Sequence, residues 1–288
     1  MALSWQQAGE LAAGLLAVSA LLYLTGRYLL DRGPAAGAGR RLARIRPFVT
    51  EVGTISALYS LWQFLGTAPV FDAAGALRRG AAIERIEHDL LLPSEHLAQR
   101  PLLAHPLLAQ GANLYYDTMH FTMMFALLLW VFVRHRDRYR DVRTVLILVT
   151  LCCFAVQLLP VAPPRLLPDA GYVDTAALYG QSVYAAFGGL DPNQLSAMPS
   201  MHVAWAGLVG LAVITVSPSR WRWLALLHPA LTIFVVTATA NHYWADGLVG
   251  LALLALSAAL LRAGKRAVAG RAPHRPAAPE RAPVPIEL

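Results

Sequence analysis

The chain has 288 residues, 57% of them hydrophobic and only 14% charged. A soluble domain carries about 25% charged residues, so the composition excludes an ordinary soluble protein and points to the membrane. A net charge of +7 raises nucleic acid as a partner, but the basic residues sit between apolar runs, as the positive-inside pattern requires, and no nucleic acid is expected.

A helix needs about 20 apolar residues to cross the hydrocarbon core. Seven runs are expected to do so: 8–30, 50–71, 114–133, 144–162, 201–218, 222–240 and 243–261. The first has neither a basic flank nor a small-residue cleavage site, so it reads as a retained N-terminal helix rather than a signal peptide. The second is interrupted by Glu51, Gln63 and Pro69 and is expected to be tilted or partly re-entrant. Arginines crowd the connection after the first run (Arg27 to Arg46), the stretch "RHRDRYRDVR" at 134–143 and the turn at Arg220 and Arg222, and Arg262, Lys265 and Arg266 follow the last run. With seven spans all four sites fall on the cytoplasmic side. The connections 72–113, 163–200 and 241–242 then fall outside.

Residues 80–100 mix charged and apolar residues at helical spacing, which predicts an amphipathic helix in the outer interface. Residues 263–288 are basic and rich in proline, with no apolar face, and are expected to be a disordered cytoplasmic tail touching anionic lipid. The expected organisation is an all-α integral membrane helical bundle. An N-terminal helix with its basic connection (1–46) precedes a six-helix membrane domain (47–262), and the tail (263–288) closes the chain. Cys152 and Cys153 are adjacent, which suits neither a disulfide framework nor a zinc site.

Three polar motifs stand at the outer ends of helices: "VAPPRLLP" (161–168), "MPSMH" (198–202) and "NHYWAD" (241–246). His242 and Asp246 are four residues apart, so on a helix they share a face. A carboxylate beside an imidazole fixes its tautomer and strengthens the other nitrogen as nucleophile or base. Taken alone, the pair is as well explained by a structural contact. Ser200 is placed to cap the helix that starts near Met201, leaving backbone N–H groups aimed outward as an anion cradle, and His202 sits in its first turn. Arg165 follows Pro163 and Pro164 in a stiff turn, where its guanidinium suits phosphate; an interfacial arginine that snorkels to lipid phosphates is the plain alternative. His120, preceded by Tyr115, Tyr116 and Asp117, begins another helix on the same face and is an accessory candidate together with Tyr116. His228, before Pro229, is assigned to packing at a mid-helix kink. An anion cradle, a fixed cation, a base with its carboxylate and a second imidazole on one membrane face are the parts needed for phosphoryl transfer.

The combination "PPR…PSMH…HYWAD" resembles the three signature motifs of the type 2 phosphatidic acid phosphatase superfamily of membrane lipid phosphatases and phosphotransferases. The resemblance covers roughly residues 110–262. It implies that His242 is the nucleophile of a phosphohistidine intermediate, that Asp246 orients it and that His202 protonates the leaving alkoxide. Arg165, Ser200 and Met201 would hold the phosphate, with no metal and no cofactor. The substrate would be a phosphorylated lipid, the acceptor water or an alcohol, and the setting the outer face of the cell membrane, amid membrane lipids.

The chain departs from the family pattern at three places. Leu158 stands where the first motif has a lysine, Met201 where the second has glycine, and Val235 and Val236 where the third has Ser-Arg. The variant pattern is more similar to the branch of inositol phosphorylceramide synthases, which transfer a phosphorylated head group. Phosphatase and transferase both remain open. Two other readings also stand at this point: a metal site built from His120, His202, His242 and Asp246, and a transporter with a polar pathway.

Overall fold

The computed structural model describes residues 4–32, 35–66, 72–168, 170–182 and 192–270. Ten α-helices follow in chain order among these residues: α1 (Trp5–Leu30), α2 (Ala36–Gly66), α3 (Ala73–Asp89), α4 (Glu95–Ala104), α5 (Pro106–Arg134), α6 (Arg136–Gln157), α7 (Thr175–Leu178), α8 (Met201–Val216), α9 (Leu227–Ala238) and α10 (Trp244–Gly270). The described chain has no strand, only an isolated bridge between Val161 and Ser196. It is an all-α membrane bundle, as the composition requires.

Each of the seven expected spans falls on a helix. Among the described residues, four stretches are long and apolar enough to cross a membrane: Gln6–Leu30, Pro106–Arg134, Arg220–Ala238 and Trp244–Gly270. Met201–Val216 is apolar but shorter. The span expected over 222–240 is a composite, because 3-10 turns over Arg220–Leu226 lead into α9. Pro229 therefore stands near the start of an α-helix, where its missing N–H costs little, and not at a mid-helix kink. The last residues of the span expected over 50–71, including Pro69, lie outside the described residues.

Other boundaries differ from expectation. α2 begins at Ala36, so Arg40, Arg41, Arg44 and Arg46 lie on a helix and the division expected at 46/47 falls inside it. α2 packs along α1 as an antiparallel hairpin whose close approach rests on small residues. A Cβ on Gly39 would stand 2.9 Å from the Gly26 carbonyl oxygen, and one on Gly53 3.1 Å from the Leu16 side chain. Ser19 and Thr50 share a hydroxyl hydrogen bond of 2.6 Å at this seam. The helix expected over 80–100 is two helices, α3 and α4, parted around Pro93 with Ser94 capping the second. α10 runs on to Gly270, so residues 263–270 are helical and only 271–288 of the expected tail lie outside the described residues.

The main core lies between α5, α6, α8 and α10 and is built from Leu127, Val131, Val149, Leu208, Val209 and Leu254 with their neighbours. The two "GLVG" stretches serve packing inside this one chain. A Cβ on Gly207 would meet Leu251 at 2.7 Å, and one on Gly250 would meet the Ser200 carbonyl oxygen at 2.6 Å. The second approach sets the mouth of α8 against α10. At the opposite, basic end, Lys265 reaches Asp141 at 2.5 Å and Arg143 pairs with Glu51, joining α10 and α2 to α6. The outward faces carry bare apolar side chains such as Leu21, Leu24, Phe125, Val133 and Leu248, which suits contact with lipid.

Candidate active site

The three motifs occupy three loops that are stitched together by backbone hydrogen bonds. Val161 N–H donates to Leu195 O, Ala197 N–H donates to Val161 O, Arg165 N–H donates to Ala240 O, and Ser200 N–H donates to Asp246 O. Tyr243, almost fully buried, donates its hydroxyl to Ala162 O at 3.0 Å. Because each loop satisfies the others' backbone groups, no one of them can move alone. Ala240 has a φ of +53°, a left-handed conformation that costs a non-glycine residue about 1–2 kcal/mol. The turn before His242 is thus held by its surroundings and not by local preference.

His242 and Asp246 meet, though not on one helical face. α10 starts at Trp244, so His242 lies in the turn ahead of it. Asp246 Oδ2 accepts the Tyr243 backbone N–H at 2.9 Å and faces His242 Nδ1 at 3.2 Å. The carboxylate is at once half of a helix cap and the partner of the imidazole. His242 Nδ1 also lies 2.8 Å from Ala197 O. Both neighbours of Nδ1 are acceptors, so Nδ1 carries the proton and Nε2 presents a lone pair. His242 is 3% exposed, and its Nε2 has no hydrogen-bond partner among the described residues.

The other candidates gather around it. Ser200 caps α8, its hydroxyl accepting the Val203 N–H at 3.4 Å; an α-helix leaves its first-turn N–H groups, here those of Met201 and His202, without an intrahelical acceptor. The His202 ring stacks on Tyr116 with centroids 4.3 Å apart, meets the edge of His120 at 4.3 Å, and stands 5.6 Å from His242. His120 Nδ1 lies 3.0 Å from Tyr116 O, which makes that nitrogen a donor. The Arg165 guanidinium reaches Asn241 Oδ1 through Nε and Asp174 Oδ2 through Nη1, both at 2.8 Å. Every expected site residue is therefore in one cluster. His228 is not; it bonds Tyr115 from α9 at 2.9 Å.

Four groups escaped the sequence reading. Asn241 and Asp174 fix the plane of Arg165, the Ala197 carbonyl fixes the His242 tautomer, and Glu87 supports the site from behind. Asn241, next to His242 in its motif, was the one with a usable signal. Glu87, on α3, accepts the Ala245 N–H at 2.6 Å and so caps α10 from another helix. Burial, with the Glu95 carboxyl beside it, pushes the Glu87 carboxyl up to about 9. Among the described residues no group of three or more His, Cys, Asp or Glu side chains is arranged to hold a metal ion, so the four-ligand metal site is not formed by this geometry.

The cluster opens into a cavity of about 490 Å³. Its polar end is lined by Arg165, Asn241, His242, His202, His120 and Tyr116, and the remainder is largely apolar.

Comparison with known proteins places these residues in a family. The family model described as PAP2 superfamily matches residues 81–260, a stretch that begins in α3 and holds all three motifs. No curated protein and no solved structure matches the chain.

Proposed function

Because the chain belongs to the PAP2 superfamily, a phosphatase-type family, we propose that it is a multi-pass membrane enzyme acting on a phosphorylated lipid at the outer face of the cell membrane. The observation that carries the chemistry is the pair of acceptors on His242 Nδ1, which leaves Nε2 as a buried lone pair on a residue that lines the cavity. In the proposed reaction Nε2 attacks phosphorus, and the bond to the lipid alkoxide breaks as a phosphohistidine forms. His202 gives its proton to the departing oxygen. Arg165, held by Asn241 and Asp174, and the N–H groups of Met201 and His202 take up the charge on the phosphoryl oxygens. A water or an alcohol then attacks the phosphorus, returns a proton to His202 and releases Nε2. Asp246 takes part through His242, holding its tautomer and orientation.

The outward orientation rests on the arginine distribution, since all three motif loops lie at the end opposite the basic turns. The variant motifs, with Leu158, Val235 and Val236 in place of three polar or cationic family positions, favour a head-group transferase of the kind found in inositol phosphorylceramide synthases. A site short of fixed cations needs additional groups at the reacting centre, and His120, beside His202 and lining the same cavity, is placed to supply one. We assign the family-matched residues 81–260 as the catalytic core, with the α1–α2 hairpin packed beside it.

The test follows phosphorus-labelled phosphatidic acid and phosphatidylinositol with the purified protein in chelator, with and without alcohol acceptors. Label passing to a new lipid establishes the transferase, and free phosphate establishes the phosphatase. Either must vanish in His242→Ala, with kcat lower by about a thousandfold or more. Substantial turnover by His242→Ala would overturn the reaction scheme.

A further inference from the structure

The family match begins at residue 81, which leaves α1 and α2 outside it. Yet Ala8 of α1 and Ile55, Ser56, Leu58 and Tyr59 of α2 line the cavity that holds His242. Met124, Leu128 and Leu146 of the core line the same cavity. The cavity is graded: its histidine and arginine side chains lie at the motif end, and Leu128, three turns of α5 beyond Tyr116, lies roughly 18 Å away along the helix. Such a shape takes a ligand with an anionic head and an apolar body. At 490 Å³ it is within the range of roughly 300–1,000 Å³ typical of small-molecule sites. Arg143 of the core pairs with Glu51 of the hairpin at the basic end. Phe48 and Phe132 meet edge to face, with centroids 4.6 Å apart, near that same end. The hairpin therefore forms a side wall of the cavity.

We propose that this cavity is the subsite for one hydrocarbon chain of the phosphorylated lipid, with the N-terminal hairpin as a wall added to the family core. The proposal rests on the lipid phosphoesterase reading above. With phosphorus at His242 Nε2, the chain runs along the apolar lining between α2 and α5. Chain length is then sensed by side chains that take no part in the chemistry.

Two alkylphosphonates, octyl and hexadecyl, provide the probe, the longer one also made with a photoreactive diazirine at its chain end. Full-length protein should bind the hexadecyl compound more tightly, and the diazirine should label α2 near Ile55–Tyr59 or α5 near Met124–Leu128. Ser56→Trp should weaken hexadecylphosphonate by about tenfold or more and octylphosphonate by less than about twofold, the difference reflecting displaced methylenes. Leu128→Trp, on the core side, should give the same contrast, which separates a filled subsite from a misfolded hairpin. Labelling confined to the outer faces of α9 and α10, equal losses for both chain lengths, or no binding of either compound would overturn the subsite. His242→Ala turnover decides the catalytic reading separately, because neither tryptophan variant touches the motif loops.

Discussion

The N-terminal hairpin and the family-matched core hold their helices together by different means. In the hairpin, α1 and α2 approach through Gly26, Gly39 and Gly53, with the Ser19–Thr50 hydroxyl pair at the seam. In the core, the helix mouths are joined by buried polar groups: Asp246, Glu87, Asn241, Ser200 and the loop carbonyls. Close contact of small residues gives attraction without direction. A buried polar network requires every member in place, because each unpaired group carries a desolvation cost of about 1–3 kcal/mol. The lesson is a division of labour. The hairpin is built to bound a space, and the core is built to hold atoms at fixed positions.

Substitutions in the core should therefore damage turnover more than the hairpin variants do. Asp246→Asn keeps the shape but loses the negative charge that stabilises a proton on His242, and kcat should fall by about a hundredfold or more, measured as turnover at saturating lipid. Its melting temperature should change far less than its rate. Gly250→Val pushes a side chain into the Ser200 carbonyl and so separates the anion cradle from α10. Overpacking of this kind costs about 1–3 kcal/mol, and thermal unfolding together with a lower kcat should report it.

Glu87 gives the smallest effect and a sign that can be checked. Its carboxyl is raised from 4.5 to about 9 in the folded chain, so between those values the folded state binds a proton that the unfolded state has lost. Stability then falls as pH rises through this window. Glu87→Gln keeps an acceptor for the Ala245 N–H and mimics the neutral form, so melting temperature should decline less steeply with pH than in the unaltered protein. An unchanged slope would mean that the Glu87 carboxyl does not hold its proton in the fold.

Much of this was readable from residue order because membrane helices announce themselves by length and polarity. His242, Asp246, Ser200 and Arg165 stood out as costly polar groups beside apolar runs, and the arginine blocks placed them at one end. What was not readable depends on contacts across the fold. No local signal marks the Ala197 carbonyl as the partner of His242, or Glu87 as a cap for α10 from 158 residues away. Asp246 was expected to meet His242 by helical spacing and instead does so through a helix cap, because the chain turns at Ala240 before α10 begins. Residue order suggests a boundary after residue 46 because the arginines of α2 resemble a connection, although packing on α1 keeps them helical.

The central claim is that phosphorus passes through Nε2 of His242. The most direct measurement is rapid quenching of the purified protein during turnover of a phosphorus-labelled lipid, under alkaline conditions that preserve phosphohistidine, followed by peptide mapping. Label should be found on the peptide containing His242, should disappear when acceptor is added in excess, and should be absent from His242→Ala. Turnover accompanied by label on a different residue, or by labelling that survives in His242→Ala, would contradict the claim.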